Sequence, residues 1–133
     1  MVQACVAKTP PVTFRVNLSY PDGGVVPSSS TVVVGYRSDL VSLPGSGQGQ
    51  ASVNARIKNL PSNSSRTTND LDYALRVVVS RGAGVPAGRL FTIDFDTCQG
   101  TSAPAFTQFG CTVEGCGGST GTVPGCACEV ATP

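Results

Sequence analysis

The strongest constraint on this chain is a two-residue alternation of apolar and polar side chains in the stretch Asn69 to Gly100. Leu71, Tyr73, Leu75, Val77 and Val79 fall on one side of that pattern, which predicts a half-buried strand. Arg89 to Asp96 alternates again, with Phe91, Ile93 and Phe95 directed inward and the carboxylates of Asp94 and Asp96 outward. Between the two runs, Gly82, Gly84, Pro86 and Gly88 supply the conformational freedom and the fixed φ of a chain reversal. Two long antiparallel strands joined as a central hairpin are expected here.

The same reasoning extends along the chain. Lys8-Thr9-Pro10-Pro11 reads as an extended entry that cannot pair as a central strand. Val12, Phe14, Val16, Leu18 and Tyr20 alternate cleanly and predict the first full strand, closed by the turn Pro21-Asp22-Gly23-Gly24. Thr31 to Tyr36 is β-branched at successive positions, which predicts a strand covered on both faces or one bulged at Gly35. Leu40 to Leu43 is a short apolar segment, and Val53, Ala55 and Ile57 predict a strand whose outer face carries Arg56 and Lys58. Leu60 to Thr68 reads as a polar loop, and Phe106 and Phe109 as anchors of the C-terminal segment. No helix-period segment of useful length and no internal repeat is found. The expected fold is all-β: one antiparallel β-sandwich domain over 1–133, jelly-roll-like or immunoglobulin-like, with about eight or nine strands. Residues 1–11 form its entry, and 97–133 a cysteine-rich C-terminal part packed on it.

Six cysteines define the compartment: Cys5, Cys98, Cys111, Cys116, Cys126 and Cys128. Their even number, with five between positions 98 and 128, predicts a disulfide-stapled tail and a secreted or cell-surface location. Cys126 and Cys128 sit two apart, so both sulfurs leave the same strand face and a bridge between them is disfavoured. Fifteen pairings are open; the preferred one joins Cys98 to Cys126 or Cys128 and ties Cys5 to the tail. Met1 before Val2-Gln3-Ala4-Cys5 reads as a start residue added to a mature sequence, with a lipid anchor on Cys5 as the alternative. Thiolate metal ligation is disfavoured, because spacings of four and one differ from paired Cys-x2-Cys motifs. No apolar run approaches the roughly 18 residues needed to span a bilayer.

Charge and composition exclude whole classes of chemistry. With 9 basic and 8 acidic residues the net charge is +1, too little field to gather nucleic acid. There is no histidine, so Ser-His and Cys-His nucleophilic sites and His-ligated zinc are absent. Asp94 and Asp96 stand roughly 6.5 to 7 Å apart by strand rise. Acids at i and i+2 on one face do not flank a sugar from opposite sides, and they read as solvated surface carboxylates. A non-enzymatic protein without a cofactor is expected. Asp22, Asp70 and Asp72 are the candidate oxygen ligands should calcium bind. With no Trp, and with Tyr20, Tyr36 and Tyr73 all on apolar phases, a flat sugar-stacking platform is not expected. The basic outward positions Arg56 and Lys58, with Arg66, offer a face to an acidic partner or simply a soluble strand surface. Asn17-Leu18-Ser19 and Asn63-Ser64-Ser65 are formal glycosylation sequons.

Two runs carry a family resemblance. Val34-Gly35-Tyr36-Arg37-Ser38-Asp39-Leu40-Val41-Ser42-Leu43-Pro44-Gly45 resembles the segment of cohesin-like modules where a strand ends in Tyr-Asp-Pro-Ser, here with Arg37 and Ser38 replacing the Asp and Pro. Val85-Pro86-Ala87-Gly88-Arg89-Leu90-Phe91-Thr92-Ile93-Asp94-Phe95 is similar to an Ile-Pro-Asp-Gly-x-Leu-Phe-x-Ile-x-Phe element of the same superfamily. The likeness covers about residues 12–96 and points to a cohesin-like or carbohydrate-binding-module-like bacterial extracellular β-sandwich. It implies a nine-stranded jelly-roll-like sandwich serving as a protein receptor or spacer outside the cell. Glycan binding and self-assembly as a structural subunit are the alternatives. The binding-face candidates are Tyr36, Arg37, Asp39 and Leu43, together with the outward positions Asp72, Ala74 and Arg76.

Overall fold

The computed structural model describes residues 7–20, 26–37, 40–44, 47–71, 73–98, 109–118, 121–122 and 125–132. Among them, seven longer strands carry the architecture: β1 (Ala7–Ser19), β2 (Ser29–Gly35), β6 (Ser65–Asp70), β7 (Ala74–Ser80), β8 (Gly88–Cys98), β9 (Gly110–Gly118) and β11 (Ala127–Ala131). Two-residue strands β3 (Val41–Ser42), β4 (Gly47–Gln48), β5 (Ile57–Lys58) and β10 (Gly121–Thr122) and one helical turn, α1 (Ala51–Asn54), complete it. They form two antiparallel sheets packed as a sandwich. Sheet A has the order β11-β1-β8-β3, with β5 also on β8; sheet B has the order β10-β9-β2-β7-β6-β4.

The core follows from the alternation. Phe14, Val16 and Leu18 of β1 and Phe91, Ile93 and Phe95 of β8 face Val32 and Val34 of β2 and Leu75, Val77 and Val79 of β7, all of them buried. Full burial of one such side chain is worth about 1.5–3 kcal/mol. Phe109 closes one end of this core, with its ring centroid 4.4 Å from Phe14 and 5.2 Å from Phe95. The anchoring role expected of Phe109 is thus met; Phe106 lies outside the described residues.

The two strands of the expected hairpin do not pair. β7 bonds β2 and β6 in sheet B, whereas β8 bonds β1, β3 and β5 in sheet A. The Gly- and Pro-containing connection therefore crosses between layers instead of folding back within one. Gly84 shows why a glycine stands in it: φ is +104°, and a Cβ there would come within 2.6 Å of Val26 Cγ1. Arg81 braces the crossing, donating from Nε to Ser62 O and from Nη1 to Gly84 O at 2.7 Å each.

Other expectations shift for local reasons. β1 does run through Pro10 and Pro11, but its pairing with β11 covers only Arg15 to Ser19, and its register with β8 jumps between Lys8 and Val12. The prolines sit where a bulge and an open edge ask for no ladder N–H. Val53 to Lys58 is not one strand: α1 comes first, then β5. Val53 and Ile57, four apart, are both buried, and that spacing suits a helical turn as well as a strand. β6 begins inside the segment expected to be a polar loop, at Ser65, while β7 begins at Ala74 and not at Leu71. β2 is buried on alternate residues only, and its register shift against β9 falls between Thr31 and Val32, not at Gly35.

That register shift organises the disulfides. Cys111 pairs in register with Val34 and Cys116 with Ser30, and the extra residue between Val113 and Gly115 is Glu114. The cysteines are five positions apart, so a regular strand would put them on opposite faces. The bulge at Glu114 restores a common side, where Cys111 bonds Cys128 and Cys116 bonds Cys126. Cys98 is buried and disulfide-bonded, but neither Cys126 nor Cys128 is its partner, which corrects the preferred pairing. Both tail cysteines are taken up by β9, the strand their common face meets. Cys5 lies outside the described residues.

Candidate functional site

The two outer faces of the sandwich differ in how their charges are used. On sheet A, β5 lies in plane beside β8, so Arg56 and Lys58 stand next to the outward carboxylates. Arg56 holds Asp96 through Nη1 to Oδ1 at 2.7 Å and Nη2 to Oδ2 at 3.3 Å. Lys58 Nζ lies 2.7 Å from Asp94 Oδ2, and Thr13 Oγ1 donates to Asp94 Oδ1 at 2.6 Å. The carboxylate of Asp94 is thereby largely covered. Burial pushes its pKa up, but hydrogen bonds from Lys58 and Thr13 and the charges of Lys58 and Arg56 outweigh that and hold it below the ordinary value. Asp94 and Asp96 are structural, ion-paired groups and not solvated acids. Arg56 and Lys58, which the sequence offers as a face for an acidic partner or as a soluble strand surface, pair with carboxylates of their own chain, and Arg66 donates to the Asn54 carbonyl.

On sheet B the outward row reads Asn69, Arg76, Val33 and Thr112 across β6, β7, β2 and β9, and the next row reads Thr67, Val78, Thr31 and Gly115. Arg76 reaches over Val33 to Glu114, donating from Nε to Oε1 at 2.7 Å and from Nη2 to Oε2 at 3.4 Å. The hydrogen bond to Glu114 and the charge of that carboxylate raise the pKa of Arg76, with a further contribution from nearby Tyr73. Thr67, Thr68, Asn69, Arg76 and Val78 line a small open hollow of about 130 Å³. Tyr73, in the turn between β6 and β7, is 68% exposed.

The remaining sequence candidates separate cleanly. Tyr36 is buried against Phe95, with ring centroids 5.4 Å apart, and its hydroxyl donates to Asp70. Leu43 and Ala74 are buried too, so these three offer no surface. Arg37 is exposed and Arg76 faces outward, but Asp39 and Asp72 lie outside the described residues. Of the calcium candidates, Asp70 is buried on the inward phase of β6, where it accepts the Tyr36 hydroxyl; Asp22 and Asp72 lie outside the described residues. Among the described residues no three His, Cys, Asp or Glu side chains come together to hold a metal, and no helix is long and apolar enough to cross a membrane.

Sequence reasoning missed Tyr73 and Glu114. Tyr73 was expected on the buried phase of one long strand, and the turn-type run Asn69-Asp70-Leu71-Asp72 is the signal that argues for a break there. Glu114 reaches the face only because a bulge re-aims it, and nothing in the local sequence marks that. No known family model, no curated protein and no solved structure matches the chain.

Proposed function

We propose that the chain is a secreted, non-catalytic binding module whose contact face is the outer face of sheet B. The observation that carries this reading is Tyr73, exposed in the β6–β7 turn beside outward-facing Arg76. Tyrosine and arginine are the residue types that most often anchor protein interfaces, offering broad contact area at low entropic cost. A flat strand face with β-branched Thr31, Val33, Val78 and Thr112 around them suits an extracellular protein as partner. This is the role that the cohesin-like resemblance implies, moved from the Tyr36 to Leu43 segment to adjoining Tyr73, whose carbonyl accepts from the Tyr36 N–H at 2.9 Å, and to the outward row beyond it. The disulfides support an oxidising, extracellular compartment.

A neutral glycan is the second reading, favoured by the hollow. Thr67 and Asn69 spend no side-chain hydrogen bond on the protein among the described residues. The charge of Arg76 is balanced by Glu114, so the lining offers uncharged hydrogen bonding next to an exposed ring.

The test is capture by oxidised, immobilised chain from the secreted fraction of its source, compared with the variants Tyr73→Ala, Arg76→Glu and Lys58→Glu. Capture of one protein that is lost with the first two variants and kept with the third supports the reading. Capture indifferent to Tyr73 and Arg76 removes sheet B as the face. Retention of polysaccharide alone selects the glycan reading.

A further inference from the structure

Among the longer strands, β11 is the one held least by packing. None of its residues is buried: Ala127 and Glu129 are exposed, and Cys128, Val130 and Ala131 are half-buried. Among the described residues it hydrogen-bonds a single strand, β1, in the register Arg15 with Ala131 through Ser19 with Ala127. Cys111–Cys128 and, from the residue before the strand, Cys116–Cys126 tie it to β9, Cys128 and Val130 rest partly on the core, and Asn17 and Ser19 donate to Glu129 Oε1 and Ala127 O. The strand it covers is built differently. Val16 and Leu18 of β1 are fully buried, and β8 pairs along the other side of β1, so the edge of β1 is formed by the core whether or not β11 is present.

We propose that β11 is a disulfide-latched strand, and that the edge of β1 beneath it, Arg15 to Ser19, is a strand-accepting surface for the β11 segment of a second copy of this chain. Unlatching is a reduction. For each disulfide, a dithiol gives up two electrons and two protons and closes to its own cyclic disulfide, leaving Cys111, Cys116, Cys126 and Cys128 as thiols. A five-residue edge strand with no fully buried side chain is then held by its ladder and by the partial contact of Cys128 and Val130 with the core, which is marginal in water. Its departure exposes a row of unpaired N–H and C=O groups on β1, the usual template for adding a strand. The occupant is set by fit. This chain's own segment matches the edge in register, placing Val130 opposite Val16 and Cys128 opposite Leu18, with Asn17 Nδ2 donating to Glu129 Oε1 at 3.5 Å. A second copy carries the same match. Reoxidation, with two electrons and two protons leaving each thiol pair to a disulfide oxidant, then fixes the strand in its own chain or in the neighbour. This inference is independent of the binding role proposed for sheet B.

Two measurements on the full chain test it. In hydrogen exchange, reduction by dithiothreitol under native conditions raises exchange at residues 127–131 about a hundredfold while β7 and β8 stay protected. Should reduction melt the whole sandwich, the double variants Cys111→Ala/Cys128→Ala and Cys116→Ala/Cys126→Ala, each retaining one of the two bridges to β9, take its place. β11 exchanging together with the core in both, or staying protected throughout, overturns the latch. In the second measurement, unlabelled and nitrogen-15-labelled chains are reduced, mixed at high concentration and reoxidised. Dimers whose Cys111–Cys128 peptides join one labelled and one unlabelled half are the expected product. Linkages of like label only, with β11 shown to be released, overturn the second-copy assignment.

Discussion

The two open sides of this sandwich are closed by different chemistry. Where β9 of sheet B meets β11 of sheet A, two disulfides do the joining, over side chains such as Val113 and Val130 that are only partly buried against the core. On the far side, the chain between β4 and β5 passes from one sheet to the other, and its helical turn plugs the gap with Val53, which is fully buried. Arg66 of β6 donates from Nε and Nη2 to the Asn54 carbonyl at 3.0 and 2.9 Å, satisfying the end of the turn, and Thr68 donates to Asn54 Oδ1. Beyond it, Arg56 and Lys58 fasten β5 to the carboxylates of β8. One side is thus covalent and indifferent to acid and salt; the other is a polar and apolar assembly that responds to both but not to reductants. The difference shows how a domain with few charges and a modest core can be finished without a third layer.

Removing the covalent side should have the largest effect. The bridges close loops with sequence separations of 17 and 10, each worth about 3 kcal/mol by chain entropy and slightly less for the shorter loop. The loops overlap, so replacing all four cysteines by alanine should cost about 4–6 kcal/mol, read as a drop in the denaturant midpoint. A loss under 1 kcal/mol would mean that β11 is held by packing after all, and the contrast between the two sides would collapse.

On the polar side, Arg66→Ala should cost about 2 kcal/mol, since a charge-assisted pair of hydrogen bonds to a carbonyl is lost. Thr68→Val should cost about 1 kcal/mol by leaving Asn54 Oδ1 without its donor. Urea titrations read both, and the two losses should be less than additive because both residues act on Asn54.

How much of this was legible depends on what a two-residue period can report. It places side chains inside or outside, so Phe14, Val16, Leu18, Leu75, Val77, Val79, Phe91, Ile93 and Phe95 were identifiable as core. It does not say which strand lies alongside, and so β7 and β8 read as a hairpin although they face each other across the core. Arg76 was identifiable as outward by phase alone. Tyr73 was not, because the strand that assigned it inward had already ended. Val53 and Ile57 carried a spacing compatible with turn or strand. The common face of Cys126 and Cys128 was readable from their two-residue spacing; their partners were not, because the five-residue gap between Cys111 and Cys116 makes sense only with the bulge at Glu114.

The smallest effect, and the one that most sharply separates the two sides, is the response to acid. Asp94 is covered at the β5–β8 junction, and although burial raises its pKa, Lys58, Thr13 and Arg56 together hold it below the ordinary value near 3.8. A carboxylate whose pKa is lowered by folding adds stability above its unfolded pKa and loses it as pH falls through the folded one. The polar side should therefore weaken below about pH 4, while the disulfides stay unchanged. Lys58→Met removes the leading favourable partner and leaves burial in place. The Asp94 carboxyl should then titrate at higher pH by carbon-13 NMR, and the acid loss should begin earlier. Because Lys58 is itself well exposed, the stability change at neutral pH should stay under about 1 kcal/mol. An Asp94 titration that does not move in Lys58→Met would assign the lowered value to Thr13 and Arg56, and with it the pH response of this side to strands β1 and β8 and the turn before β5.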